Sequence, residues 1–159
     1  AHGGDAGIIL AFLMNPVSLR AGEAAYIPPR QIHAYQRGLG VEVMAASDNV
    51  IRAGLTHKHV DSAQLVEIAE FSALPPIRLA PEHPSPHSDR FLAPAQEFEL
   101  TVTTCTPELT ALRVPGEGPR IALVTRGRLS LSTEAGECTL GQHHLRIAGE
   151  GELVQCSAP

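Results

Sequence analysis

The chain has few of the residues that build aromatic binding surfaces, and its charge does not suit a polyanionic partner. It contains no tryptophan among its 159 residues, and aromatic side chains make up only 4% of it. Stacking of bases or sugar rings on aromatic side chains is therefore not a major mode of binding. The formal net charge of −5 gives no general attraction to nucleic acid or to an anionic membrane surface. A local pocket of Arg and Lys can still hold a small anion against this overall sign.

Long apolar runs and paired cysteines are also missing. The longest apolar run, at residues 7–14, stops well short of the roughly 20 residues that span a bilayer, and no basic segment precedes it as in a signal peptide. The cysteines Cys105, Cys138 and Cys156 are odd in number and have no C-x-x-C spacing, which argues against a disulfide framework and for a reducing compartment. We therefore expect a cytoplasmic protein that binds neither nucleic acid nor a membrane.

What the chain has instead is short apolar segments separated by Gly and Pro. Its apolar fraction of 43% is enough for a core. An apolar run that follows Asp5 and ends at Asn15 and Pro16 predicts a short helix at 5–15, and apolar residues at helical spacing predict a second one at 61–71. Alternation predicts strands at 17–20, 24–27, 39–45, 50–55 and 98–104, an extended piece at 32–35, and further strands at 109–114, 120–125, 128–132, 137–140, 144–147 and 152–155. The fold class is therefore mostly β, of barrel or sandwich type.

A proline-rich stretch divides the sequence. Residues 74–94 contain prolines at 75, 76, 81, 84, 86 and 94, a density that opposes regular hydrogen bonding and favours an extended crossover. The predicted organisation is a first domain at 1–72, a linker at 73–95, and a small β domain at 96–159.

His33 is the first candidate metal ligand. The spacing from Gly22 through Pro28 and Arg30 to His33 resembles the second cupin motif, G-x5-P-x-G-x2-H, with Arg30 in place of its last glycine. In such barrels the histidine lies on an inward-facing strand and presents a ring nitrogen to a metal. A core histidine whose ring is satisfied by a backbone carbonyl is an equally good interpretation of His33 taken alone.

Two carboxylates are candidates for proton transfer. Glu42 lies on the opposite side of its alternating segment from Val41 and Val43, so it either points into a barrel as a general base or is exposed while the valines face the core. Asp48, in a Ser-Asp-Asn sequence, either bonds the backbone of a tight turn or holds a substrate hydroxyl.

Two cations are candidates for binding an anion. Arg52 suits a phosphate or a developing enediolate oxygen, because its planar guanidinium is always charged. Its alternative role is a surface salt bridge. Lys58 is a weaker candidate for a phosphate clamp, as is Arg30. The pair His57 and His59 could chelate a metal but is more typical of an exposed pair ahead of a helix.

Taken together, several segments resemble the type I phosphomannose isomerases. They read GEA at 22–24, IHAY at 32–35, VEVMA at 41–45 and SDNVIRAGLT at 47–56, followed by Lys58 and by VD at 60–61. The sequence GDAG at 4–7, ahead of an apolar helix, also fits. The run from 47 to 58 is the most specific of these. The close similarity covers residues 4–71, and from residue 98 the chain resembles only that family's less distinctive C-terminal β domain.

The resemblance implies a fold, an activity and a set of roles. The fold would be half of a cupin-like jelly roll or β-barrel with one or two short helices, followed by a small C-terminal β-roll. The activity would be the zinc-assisted interconversion of mannose 6-phosphate and fructose 6-phosphate through an enediol. The roles carried over are a zinc ligand for His33, enediol stabilisation or phosphate binding for Arg52, proton transfer or hydroxyl contact for Glu42 and Asp48, and substrate binding for Lys58.

The chain departs from this family by lacking the upstream cupin half, which supplies a Gln, a His and a Glu as zinc ligands. One ligand does not hold zinc tightly, so we expect a C-terminal portion that is inactive or nearly so by itself and that pairs with the upstream half or with a second copy. Two alternatives remain open at this stage. One is a non-catalytic cupin-like domain that holds a sugar phosphate through Arg52, Arg30 and Lys58, and the other is a small metalloprotein whose site is completed by His57 and His59.

Overall fold

The computed structural model describes residues 4–46, 49–109, 112–132 and 146–158. The chain forms two compact units. The first unit consists of Ala1–Gly40 and Ala46–Arg78, and the second consists of Val41–Ala45 and Leu79–Pro159.

The first unit contains both helices of the described chain. Helix α1 spans Gly7–Leu13 and helix α2 spans Ser62–Ile68, as the sequence predicted within a few residues. Asp61 is the N-cap of α2, because its carboxylate accepts a hydrogen bond from the Gln64 N–H at 3.0 Å. At α1 the N-cap is Ala6, and Asp5 lies one residue earlier with its Oδ1 accepting from the Gly7 N–H at 2.8 Å. Neither helix is long and apolar enough to cross a membrane.

Strands β1 (Ala24–Tyr26) and β2 (Ile77–Leu79) pair as a two-stranded sheet. Glu23, just before β1, accepts the Arg20 N–H at 2.8 Å and Arg78 Nη1 at 3.0 Å. Arg78 Nη2 also donates to the Ser18 carbonyl at 2.7 Å. The Arg20 amide, followed by the Arg78 guanidinium, lowers the pKa of the exposed Glu23 carboxyl. These bonds fasten β1 and β2 where two strands alone would be marginal.

Several predicted strands of the first half are not formed. The strands predicted at 17–20, 39–45 and 50–55 are not formed in the structure, and the extended piece at 32–35 joins no ladder. These predictions were wrong because alternation supplies only the side chains of a strand. The backbone also needs a neighbour to accept and donate its hydrogen bonds, and the described residues provide only an isolated bridge between Gln31 and Glu70.

The first unit consequently buries little apolar surface. Among its described residues, Ala69 is the one apolar side chain that counts as buried. Large apolar side chains are instead exposed, with 86% of Phe12, 71% of Tyr35 and 99% of Leu39 accessible to solvent. Such exposure on this scale is typical of a surface that another chain segment covers.

The second unit is a six-stranded antiparallel sheet, which confirms the mostly β fold class. Its main order is β3-β4-β5-β8-β6, and β7 also pairs with β8. The strands are β3 (Glu82–Ser85), β4 (Ser88–Phe91), β5 (Glu99–Cys105), β6 (Leu112–Arg113), β7 (Glu117–Ser132) and β8 (Arg146–Ala158).

The proline-rich segment differs from the extended crossover that the sequence predicted. Strands β2, β3 and β4 all lie between residues 74 and 94. Pro84 is accommodated because β3 is the end strand of the main order, where a residue without an N–H leaves no central ladder broken. The division at 1–72, 73–95 and 96–159 stays a prediction.

The apolar core lies in the second unit, around Cys105, Val114 and Leu153. The strand predicted at 98–104 is confirmed as β5, and every second residue in it is buried, but the buried side holds Glu99, Thr101, Thr103 and Cys105 while Leu100 and Val102 are half-buried. Further partly buried apolar side chains pack against this cluster: Leu109, Leu112, Ala122, Val124, Leu129 and Leu131.

Glycines that the sequence placed in turns lie within long strands instead. The segments predicted separately at 120–125 and 128–132 form the single strand β7, and Gly127 is directly opposite Gly151 of β8. A Cβ on Gly151, whose φ is +157°, would collide with the Arg126 carbonyl oxygen and lie 3.2 Å from the Gly127 Cα. The glycine pair therefore permits close approach of two backbones.

We expect Gly151→Ala to lower the free energy of unfolding by about 1–3 kcal/mol, because the added methyl meets backbone that cannot swing aside and the φ is unfavourable for alanine. Gly40→Ala is the control, since a Cβ there meets no atom within 4 Å and no positive φ is involved. Urea denaturation followed by circular dichroism measures both. Equal midpoints for the two variants would contradict this account of the β7–β8 pair.

Candidate functional site

His33 is exposed and oriented by the backbone. Its Nδ1 lies 3.0 Å from the Gln31 carbonyl oxygen, and its ring packs edge-on against Tyr35 with centroids 5.9 Å apart. Because a carbonyl only accepts, Nδ1 carries the hydrogen, and a metal bound by this ring would be bound through Nε2. The carbonyl contact that the sequence analysis considered is present, but the interpretation of His33 as a core residue is wrong.

Arg30 occupies the glycine position of the cupin motif in a glycine-like conformation. Its φ is +69°, in the left-handed region. The side chain turns back to the end of α2, where Nε donates to the Ile68 carbonyl at 2.6 Å. The Arg30 carbonyl in turn accepts the Glu70 N–H at 2.9 Å. The departure from the motif is thus compensated locally, and this guanidinium acts as a structural tie in the described contacts.

Glu70 reinforces that tie. Its carboxylate accepts hydrogen bonds from the Ser72 hydroxyl and, at 3.0 Å, from the Ser72 N–H. These bonds, followed by the nearby Arg30 charge, lower the pKa of the Glu70 carboxyl below its usual value. A lowered folded-state pKa stabilises the fold above the unfolded-state pKa, and that contribution is lost as the pH falls through the folded-state value.

The described residues do not form a complete metal centre. No group of three or more His, Cys, Asp or Glu side chains able to share an ion is found among them. His57 and His59 are both exposed, and they do not complete a site with a third such ligand in this part of the chain. A closed zinc site needs four ligands and a catalytic one needs three, so the described residues alone do not supply a zinc site.

Arg52 and Lys58 flank a sharply folded turn. Arg52 is half-buried and Lys58 is exposed. Between them, Gly54 has a φ of +149° and Leu55 a φ of +53°. The Leu55 N–H donates to Asp5 Oδ2 at 2.8 Å, and the Lys58 N–H donates to Thr56 Oγ1 at 3.1 Å. Both candidate cations for an anionic ligand are therefore set on one short, unusual backbone.

Glycine is required at the centre of this turn. A Cβ on Gly54 would lie 2.8 Å from Asp5 Oδ1 and 2.9 Å from the Gly7 Cα. The turn therefore packs directly on the start of α1. The segments GDAG at 4–7 and AGLT at 53–56 therefore touch, a contact that the sequence did not predict because no residue pattern within either segment encodes a partner fifty positions away.

The structure gives less information about the two candidate acids, Glu42 and Asp48. Glu42 is exposed and lies in Val41–Ala45, which groups with the second unit, whereas His33, Arg52 and Lys58 group with the first. Since residues 41–45 form no strand, neither of the two faces predicted for this segment is established. Asp48 lies outside the described residues, so its role stays a prediction.

Comparison with known proteins supplies the family. No family model matches the chain, and no solved structure matches it. Among curated proteins, the chain is similar to rat mannose-6-phosphate isomerase, with 40% identity over 95% of this chain and 37% of the relative. Mannose-6-phosphate isomerase 2 of Arabidopsis thaliana is 39% identical over 96% of this chain and 36% of the relative.

A bacterial relative shows the same pattern. Mannose-6-phosphate isomerase of Escherichia coli strain K12 is 31% identical over 95% of this chain and 41% of the relative. The chain belongs to the mannose-6-phosphate isomerase family. It spans less than half the length of these relatives, and the match is consistent with a C-terminal portion. The resemblance drawn from the sequence motifs is thereby confirmed.

We expect Arg30→Ala to weaken the hydrogen bond from the Glu70 N–H to the residue 30 carbonyl more than Arg30→Gly does. Both variants lose the bond to Ile68, which is worth about 1 kcal/mol, but only glycine removes the cost of the left-handed backbone. Amide hydrogen exchange at Glu70, whose N–H donates to residue 30, measures the effect. Identical exchange rates in the two variants would show that the conformation of residue 30 imposes no strain.

Proposed function

We propose that this chain is the part of a mannose-6-phosphate isomerase that carries its cationic substrate-binding turn and one zinc ligand. The observation that carries the proposal is the alignment of about all of the chain with curated mannose-6-phosphate isomerases from plant, animal and bacterium, each covering 95% of it or more. The built geometry around Arg52 supports it, because a half-buried guanidinium on a constrained turn suits an anionic sugar phosphate.

The reaction class explains why cations are needed. Interconversion of an aldose and a ketose phosphate moves a proton between C2 and C1 and passes through an enediol, in which negative charge develops on an oxygen. A preorganised cation stabilises that charge in the transition state. We assign Arg52 to the enediol oxygen or the phosphate, and Lys58 to the substrate phosphate. Charges interact more strongly where water is excluded. We therefore expect the half-buried Arg52 to interact with the substrate more strongly than the exposed Lys58 does.

Proton transfer is assigned to the carboxylates. Glu42 would act as the base that takes the proton from carbon, and Asp48 would contact a sugar hydroxyl or share the proton transfer. Both assignments come from the match of these positions to acidic positions of the family, and a carboxylate is a suitable base when its surroundings tune its proton affinity.

One zinc ion completes the proposal. His33 would contribute Nε2 as a ligand, held in orientation by the Nδ1 bond to the Gln31 carbonyl. The remaining ligands would come from an upstream cupin half, a Gln, a His and a Glu in the family pattern. When bound, zinc supplies Lewis-acid polarisation of the substrate carbonyl or hydroxyl. With one ligand of its own, the chain alone is expected to be inactive or nearly so.

The same reasoning points to pairing of the chain, with the upstream half or with a second copy. Segments 32–35, 39–45 and 50–55 have the composition of strands without ladder partners, and side chains such as Leu39 and Phe12 are exposed in the first unit. A covering segment would supply strand pairing for these segments and apolar contacts for the exposed side chains. The non-catalytic sugar-phosphate-binding domain is not favoured, because Arg30, one of its three cations, donates its Nε to the Ile68 carbonyl.

A coupled assay of mannose 6-phosphate conversion, with zinc present, tests the function. We expect no or little activity from the chain alone and measurable activity when the upstream portion of the rat relative is added in trans. In that mixture Arg52→Ala should lower kcat/KM by about 10²–10³-fold, the usual cost of removing one oxyanion-stabilising donor. Arg128→Ala, an exposed arginine in β7, is the charge-matched control and should leave the rate unchanged.

Two results would overturn the assignment. One is full activity of the chain with Arg52 replaced. The other is no activity in any combination while mannose 6-phosphate still binds the chain, which would favour the non-catalytic binding domain.

Replacing Phe12 and Leu39 by Ser should reduce hydrophobic-dye binding and self-association of the isolated chain, because both side chains expose most of their surface. Ile121→Ser, which removes an exposed apolar side chain of the second unit, is the control and should have a smaller effect. Dye fluorescence and light scattering measure the two properties. A strict monomer that binds no dye would contradict the pairing.

A further inference from the structure

The carboxylate of Asp5 joins two segments that are fifty residues apart. Oδ1 accepts the Gly7 N–H at 2.8 Å at the start of α1, and Oδ2 accepts the Leu55 N–H at 2.8 Å. Each oxygen thus serves a backbone amide of a different segment. Hydrogen bonds to a charged acceptor are the stronger kind, so this bridge is a substantial link between α1 and the turn.

The bridge contacts the turn at a residue with an unfavourable backbone conformation. Leu55 has a φ of +53°, a left-handed conformation that a leucine adopts only when its surroundings impose it. The bond from its own N–H to Asp5 is one such constraint. The close packing of Gly54 against the Gly7 Cα is a second, independent one.

The point of attachment lies midway between the two candidate cations. Leu55 is three residues after Arg52 and three before Lys58, and the Lys58 N–H is itself bound to Thr56 Oγ1. A change in the Leu55 backbone would therefore redirect both side chains together. Arg52 and Lys58 cannot hold a fixed anion if the turn between them samples several conformations.

We propose that Asp5 is a positioning residue for the anion-binding turn: its carboxylate fixes the conformation of residues 52–58 and so sets Arg52 and Lys58 for the substrate. The role in the reaction rests on the proposed function, whereas the tether itself does not. Asp5 acts through the backbone of Leu55, and it need not touch the substrate.

Hydrogen exchange tests the tether directly on the chain. In Asp5→Asn one of the two acceptor oxygens becomes an NH2 group, and in Asp5→Ala both are lost. We expect exchange of the Leu55 amide to become about tenfold faster in each variant. Asp61→Asn is the matched control, because Asp61 also caps a backbone N–H through its carboxylate, at Gln64 in the same unit. It should leave exchange of the Leu55 amide unchanged and α2 nearly so, since Asn caps a helix about as well as Asp does.

A double-mutant cycle separates positioning from general stability. It is measured as kcat/KM on the preparation that shows isomerase activity, the chain alone or with the upstream portion added. Asp5→Asn should lower kcat/KM by about tenfold with Arg52 present and by less than twofold in the Arg52→Ala background, since the tether then has nothing to position. Asp61→Asn should have the same small effect in both backgrounds.

The exchange and activity measurements test separate parts of the proposal. Unchanged Leu55 exchange in Asp5→Asn and Asp5→Ala would overturn the tether, and equal losses of activity in the two Arg52 backgrounds would overturn the positioning role. If no preparation isomerises mannose 6-phosphate, the proposed function fails, and the exchange data alone still decide whether Asp5 fixes the turn.

Discussion

The constraint on which this structure depends is that every backbone N–H and C=O needs a partner. In the second unit, strand pairing provides these partners, with β8 hydrogen-bonded to β5, β6 and β7 along its length. In the first unit, side chains take over much of the task. Carboxylates of Asp5, Glu23 and Asp61 accept backbone amides, and guanidinium groups of Arg30 and Arg78 donate to backbone carbonyls.

This difference has energetic consequences. A paired sheet buries apolar side chains as a by-product of its hydrogen bonding, and the cluster of Cys105, Val114 and Leu153 is the result. Side-chain ties to single backbone groups bury little, so apolar residues such as Leu39 stay exposed. The first unit is therefore held by directional polar bonds, each modest in net free energy. Its long-range order depends on a few of them, with the Asp5 bridge as the clearest case.

The sequence predicted well what is encoded locally. Helix α2 with its Asp61 cap follows from residue types at fixed spacing, strand β5 lies where it was predicted although its buried side is the threonine side, and the motif at 47–58 identified the family. It failed where the outcome depends on distant partners. Residues 39–45 alternate correctly yet form no strand, because alternation does not provide a neighbour. Gly127, which was predicted to separate two strands, lies inside β7 and faces Gly151 across a ladder. The contact between Asp5 and Leu55 is invisible in either segment alone.

The candidate site follows the same division. Residue identity indicated Arg52, Lys58 and His33, and the structure adds how two of these are held: His33 by the Gln31 carbonyl, and the turn of Arg52 by a strained backbone fixed at Leu55. Each holding contact joins a side chain to a backbone group, His33 to the Gln31 carbonyl and Asp5 to the Leu55 N–H, so the backbone partner leaves no recognisable side-chain pattern. Arg30 shows the reverse case, since it replaces the last glycine of the motif and the chain retains the left-handed conformation nevertheless.

The central claim is that the turn at residues 52–58 binds the sugar phosphate. The most direct test is amide NMR of the labelled chain with the upstream portion and zinc present, as mannose 6-phosphate is added. We expect saturable shifts concentrated at residues 52–58, abolished by Arg52→Ala and retained in Arg128→Ala. Saturable shifts confined to other residues, or shifts at 52–58 that survive in Arg52→Ala, would contradict it.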